Sequence, residues 1–215
     1  MKVSAVVFDI GNVLIGWTPE QFFDAKIGAD RRQAFFAAVP ILAANAAIDR
    51  GSPFPDTIVQ LVDQHPDWEA EITLWHTCWL DMVSPEITRS VRLLRALRRQ
   101  GIPVFALSNF GAETFEIAKA RYPFLAEFDQ HYISGVMLMM KPDPAIYAAL
   151  EQSSGLAPET LLFADDLPEN IAAAAARGWQ HRWHGAKRTW RWRPQVAILA
   201  AVARILPVCF RPIAS

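Results

Sequence analysis

Four short apolar runs set the terms on which this chain can fold. They span residues 3–8, 103–107, 132–134 and 161–164, and three of them stop on polar groups: Asp9, the pair Ser108-Asn109, and the pair Asp165-Asp166. Runs of this length read as buried strands, and helical patterns lie between them. One helix is expected over residues 84–100, with Ser84 as N-cap, Pro85 at the first helical position and Gly101 as the stop. Others are expected over 143–153 and 168–177, the last closed by Gly178. Strands alternating with helices imply an α/β fold: a Rossmann-like parallel sheet with helices on both faces.

Residues 17–83 interrupt that alternation. They contain no convincing strand. Thr18-Pro19-Glu20-Gln21 fits a capping box, and further helical stretches follow at 31–39, 56–64 and 68–82. The expected organisation is a core from residues 1–16 and 84–215, with an all-helical insertion over 17–83. A chain of 215 residues with 52% hydrophobic content is long enough to bury such a core.

Charge and cysteine content narrow the class. A formal net charge of −1 exerts no global pull toward nucleic acid or membrane. No apolar run reaches the ~18 residues of a membrane span; the run 196–203 ends at Arg204. No secretory leader is recognisable, and Cys78 and Cys209 read as reduced thiols, so a cytoplasmic protein is expected. The C-terminal stretch stands apart. After Glu169 there is no acidic residue, while eight lysines and arginines are interleaved with Trp179, Trp183, Trp190 and Trp192. Such a stretch can stack on single-stranded nucleic acid. The plainer reading, arginine stems covering apolar surface of a closing strand and helix, is preferred.

Ligands of open parallel sheets collect outside the carboxyl ends of the strands. Asp9, Ser108, Asn109, Asp165 and Asp166 all leave strands at that edge, and Lys141 opens a helix in Lys141-Pro142-Asp143-Pro144. Three carboxylates with one ammonium and one hydroxyl would repel one another without a cation. A few aspartate oxygens suit Mg²⁺, which keeps several waters and also binds a substrate phosphate.

Four motifs, in order, resemble the haloacid dehalogenase-like hydrolase superfamily: F-D-I-G-N-V-L with Asp9, L-S-N with Ser108 and Asn109, K-P-D-P-A-I-Y with Lys141, and F-A-D-D-L-P-E-N-I with Asp165 and Asp166. The D-x-G-N-V form with a paired D-D is similar to the alpha-D-glucose-1-phosphate phosphatase branch. The resemblance implies that residues 17–83 form a helical cap. It implies that Asp9 is the nucleophile of a Mg²⁺-dependent phosphatase acting on a small, sugar-phosphate-type metabolite through an aspartyl-phosphate. Ser108, Asn109 and Lys141 would hold the phosphoryl group. Asp9, Asp165, Asp166 and the Gly11 carbonyl would serve the metal, with Asp165 acting directly or through water.

Gly11 departs from the pattern, because most phosphatases of that superfamily carry a second aspartate there as general acid and base. A slow or leaving-group-selective phosphatase is therefore expected. Two alternatives stand beside it: a 2-haloacid dehalogenase, whose halide leaves unprotonated, and a catalytically weak binding protein on the same fold. The paired Asp165-Asp166 favours the phosphatase over the dehalogenase. Trp75 and Trp79, one helical turn apart, are expected to pack in the core of the insertion rather than line the substrate face. His76 is expected to be structural and Phe110 to touch the substrate. A homodimer is left open. Beyond His181 the resemblance fades, and a missing last strand would leave the sheet edge unprotected.

Overall fold

The computed structural model describes residues 3–183. The basic stretch beyond Trp183, the run 196–203 and Cys209 lie outside the described residues. The chain opens with β1 (Ala5–Phe8) and β2 (Ile15–Trp17), followed by six helices: α1 (Pro19–Ile27), α2 (Ala29–Ala38), α3 (Ile41–Asp49), α4 (Phe54–Gln64), α5 (Glu69–Thr77) and α6 (Trp79–Met82). It continues through β3 (Val83–Glu86), α7 (Thr88–Arg99), β4 (Val104–Ser108), α8 (Ala112–Arg121), β5 (Gln130–Ile133) and α9 (Ser134–Met137). The described part ends with α10 (Pro144–Ser154), β6 (Leu161–Asp165), α11 (Pro168–Ala176) and β7 (Gln180–Trp183).

Five strands form one parallel sheet in the order β5-β4-β1-β6-β7. This is the Rossmann-like α/β architecture expected from the strand–helix alternation. Every residue of β1 and β4 is buried, which is why both, up to Ser108, read as unbroken apolar runs. Successive side chains point to opposite faces. Val6, Phe8, Val104 and Ala106 pack on one side with α7 and α8, whereas Ala5, Val7, Phe105 and Leu107 pack on the other with α10 and α11. In α7, Val91, Leu94 and Leu97 face the sheet and the arginines face outward.

The expected helix start at Ser84-Pro85-Glu86 is corrected. These residues belong to β3, which pairs antiparallel with β2, and the helix begins at Thr88. A residue before proline is pushed toward extended backbone, and β2 supplies a partner. Gly16 permits the approach: a Cβ there would lie 2.6 Å from the Ser84 carbonyl oxygen. The capping box at Thr18 is corrected for a related reason. Its hydroxyl donates to the Met82 and Ser84 carbonyls instead of capping α1.

The single stretch 68–82 is two helices, α5 and α6, separated at Cys78, where the backbone leaves helical geometry (φ −110°, ψ 20°). Helix α3 was not anticipated, because its alanines blur the apolar periodicity. The expected strand 132–134 is β5, which begins two residues earlier and ends at Ile133. The last strand is present: β7 pairs with β6 at the sheet edge. Helices α1, α2 and α5 close around an aromatic cluster in which the Phe23 ring lies 5.3 Å from Phe35 and 5.8 Å from Trp75.

Candidate active site

Asp9 follows β1, at the centre of the sheet. Its Oδ1 accepts from the Ile10 amide at 2.7 Å, the Ser108 hydroxyl at 2.7 Å and the Lys141 ammonium at 3.0 Å. Among the described residues no donor reaches Oδ2. The carboxylate is thus held through one oxygen while the other stays uncommitted. Burial pushes Asp9 up to about 6, with Asp165 adding to the rise and Lys141 and Ser108 opposing it.

Lys141 is fully buried between two carboxylates, Asp9 and Asp165, the latter at 2.6 Å. Burial alone would lower its pKa, but the flanking charges outweigh burial and raise it. Asn109 fixes the backbone of the same lysine from both ends: its amide nitrogen donates to the Lys141 carbonyl and its oxygen accepts from the Lys141 N–H. The Asn109 side chain is therefore engaged with protein.

Asp165 and Asp166 diverge. Asp165 is completely buried and accepts from the Leu167 amide, the Lys141 ammonium and the Asn170 carboxamide, which together occupy both of its oxygens. Asp166 is half-buried and accepts from Asn12 at 3.0 Å, and burial raises its pKa. Asn12 sits in the left-handed region (φ 53°), a conformation asparagine tolerates, and its own oxygen accepts from the Trp17 amide.

Oxygens of Asp9, Asp165 and Asp166 lie within 4.8 Å of one another, a donor set of hard oxygens that could hold a metal ion. Both oxygens of Asp165 already accept from protein donors, so Asp9 and Asp166 are the carboxylates best placed for this. Gly11 lies beside them. Its φ is outside the left-handed region, and a Cβ added there would meet nothing within 4 Å.

Asp9, Gly11, Ser108, Lys141 and Asp166 floor a cavity of ≈ 290 Å³. Its walls are Ile15, Trp17, Trp79, Val83 and Phe110, and its roof carries Asn45 and Asp49 from α3. Phe110 packs on Trp79 at 5.6 Å and lines the cavity. The tryptophan pair divides: Trp75 is wholly buried in the aromatic cluster, while Trp79 is buried and also faces the cavity. The His76 ring packs edge-on against Phe54 at 4.8 Å.

Four polar groups of the site escaped the sequence reading. Asn12 and Asn170 sit inside the quoted motifs and could have been found there. Asn45 and Asp49 are isolated polar residues on an alanine-rich helix and gave no signal.

A family model described as haloacid dehalogenase-like hydrolase matches residues 3–178. The sesquiterpene phosphatase astK of Aspergillus oryzae is 30% identical over 177 residues, covering 81% of this chain and 86% of that protein. A HAD family enzyme of Bacteroides thetaiotaomicron has a similar structure (TM-score 0.72, 22% identity, 88% of this chain and 97% of that one), and it has also been solved in complex with magnesium and inorganic phosphate. The L-2-haloacid dehalogenase of Xanthobacter autotrophicus shares the fold at a TM-score of 0.58 and 18% identity, over 83% and 76% of the two chains.

Proposed function

Because the chain belongs to the haloacid dehalogenase-like hydrolases, we propose that it is a Mg²⁺-dependent phosphatase that hydrolyses a small phosphorylated metabolite through an aspartyl-phosphate on Asp9. The observation that carries the reading is the Asp9 carboxylate, immobilised by three donors on one oxygen and unencumbered on the other, inside an acidic cluster. Fixing the nucleophile in this way lowers the entropic cost of in-line attack.

Asp9 Oδ2 attacks phosphorus. Lys141 and the Ser108 hydroxyl, already on Asp9, offset charge on the phosphoryl oxygens as it builds. The Asn109 side chain is committed to Lys141, so its contribution to the phosphate falls to its backbone N–H. Asp9, Asp166 and the Gly11 carbonyl would hold Mg²⁺, which when bound neutralises phosphate charge. Asp165 serves that ion indirectly, by holding Lys141. Residues 17–83 act as a cap over the sheet, closing the roof and excluding water.

The cavity walls bear on the substrate. Apart from Asn45 and Asp49 the surfaces above Asp9 are mainly apolar, which fits an ester of an alcohol with an apolar body better than a sugar phosphate carrying many hydroxyls. The relative named a sesquiterpene phosphatase agrees in kind. The dehalogenase alternative is weaker, since a clustered trio of carboxylates calls for a cation that such chemistry does not use.

The purified protein is assayed on alkyl, aryl and sugar phosphates and on chloroacetate, with Mg²⁺ and with chelator. Mg²⁺-dependent phosphate release, abolished in Asp9→Asn, is the expected result. Chloride release from chloroacetate in chelator, or phosphate release undiminished in Asp9→Asn, would overturn the reading.

A further inference from the structure

An alkyl phosphate leaves poorly as an alkoxide, so its departure calls for a proton donor beside the ester oxygen. The incoming water in the second step calls for a base. Gly11 has no side chain to supply either. Three carboxyl groups line the cavity: Asp9, Asp49 and Asp166. Asp9 is the nucleophile, and Asp166 lies in the acidic cluster with Asn12 bonded to it. Asp49 stands outside that cluster and enters the cavity from the roof.

Its placement is built. Asn45, one turn earlier on α3, donates to Asp49 Oδ2 at 3.0 Å. The Asp49 carbonyl accepts from the Ser134 hydroxyl, whose oxygen in turn accepts from the Phe110 amide at 2.8 Å. Gly111 lets α3 come close, since a Cβ there would lie 2.6 Å from Ile48 Cγ2. The loop that begins with Ser108 and Asn109 therefore also fixes Asp49.

Stability does not account for this carboxyl. It ends a helix, at the negative pole of the helix dipole, and no lysine or arginine pairs with it among the described residues. Burial, with Asp9 adding to it, pushes Asp49 up to about 7, so that both the acid and the base form are populated near neutral pH.

We propose that Asp49 is the general acid and base of this site, acting from the roof of the cavity in place of a side chain at position 11. The proposal rests on the phosphatase reading. In the first step Asp9 Oδ2 bonds to phosphorus, the P–O ester bond breaks, and the Asp49 carboxyl gives its proton to the departing alcohol oxygen. In the second, water attacks phosphorus, Asp49 takes a proton from that water, and the P–O bond to Asp9 breaks. Inorganic phosphate leaves, and Asp49 is again protonated.

The test compares hexyl phosphate with 4-nitrophenyl phosphate in Mg²⁺, using wild type, Asp49→Asn, and Asp49→Asn combined with Gly11→Asp. Asp49→Ser is run in parallel, and thermal melts check that each variant is folded. For Asp49→Asn, hexyl phosphate kcat should fall ~10²–10³-fold, with KM changed by less than about threefold. With the aryl ester, a burst of about one equivalent of nitrophenol should persist at the wild-type rate, followed by a slowed steady state. Adding Gly11→Asp, where a Cβ has open space, should recover hexyl phosphate turnover by about tenfold or more.

Equal losses on both esters in both phases, or a loss confined to KM, would overturn the proposal while leaving the phosphatase reading intact. So would a wild type that hydrolyses the aryl ester alone. A wild type inactive on both esters would overturn the proposal and the reading together.

Discussion

Asp165 and Asp166 are adjacent in sequence, yet the first is sealed among Lys141, Asn170 and the Leu167 amide while the second stays half-exposed beside Asn12. Substituting each should therefore break something different. Asp165→Ala removes one partner of a fully buried ion pair and leaves Lys141 with Asp9 alone. Loss of a buried partner costs ~3–5 kcal/mol, which urea denaturation should register. Asp166→Ala should cost far less, but it should abolish the rise in melting temperature that millimolar Mg²⁺ gives the wild type, because an ion held only by the folded state adds stability. A pair of carboxylates at a strand end was legible in the sequence. Which of them is taken up by the lysine was not, because that depends on Asn170, a turn further along on α11. Nor was the backbone around position 11 legible: the positive φ falls on Asn12, not on Gly11.

Helix α10 is tied to the end of α11 and the entry to β7 by one side chain. Glu151 accepts from Arg177 Nε at 2.8 Å, from a second Arg177 nitrogen at 2.6 Å and from the Trp179 indole at 2.7 Å. The Arg177 contacts hold its pKa below the ordinary glutamate value. A folded-state pKa lowered in this way contributes stability that is present above the unfolded-state pKa and is lost as pH falls through the folded-state value. Glu151→Gln should thus destabilise the protein by ~1–2 kcal/mol at pH 7. The difference between variant and wild type in urea midpoint should shrink as the pH is lowered into the acid range. At this scale α7 and α10 were readable as helices, although the cap expected for α7 lies in β3; α10 starts where the Asp143 side chain accepts from the Ala145 amide. The short ribbon of β2 and β3 was not. Its strands are three and four residues long, and their pairing joins segments separated by the whole helical insertion.

The insertion meets the sheet where α3 comes down on the loop after β4 and on the start of α9. Gly135 lies at that junction. A Cβ there would fall 2.6 Å from the Ala112 nitrogen and 2.9 Å from both the Gly111 Cα and the Phe110 carbonyl oxygen, all backbone atoms with little freedom to move. Gly135→Ala should cost ~1–3 kcal/mol by overpacking. It should also lower turnover, since the Phe110 amide holds Ser134 on the Asp49 carbonyl, and melting and kinetics measured on one preparation would show both effects. The sheet and its carboxyl edge could be read from the sequence because each strand carries its own local pattern. The roof could not, because Asn45 and Asp49 gain their meaning only from contact with a loop some sixty residues away.

The position of β1 also has a consequence in time. It leaves the ribosome well before its partners, which are β4, about a hundred residues later, and β6, whose Leu162 pairs with Val6. At ~5–20 residues per second, the interval before β6 exists is about 8–30 s. Throughout it the most apolar strand of the sheet has at least one unpaired edge, the condition under which nascent chains aggregate. Asp9 follows that strand, so the trio of Asp9, Asp165 and Asp166 cannot assemble until β6 has been made.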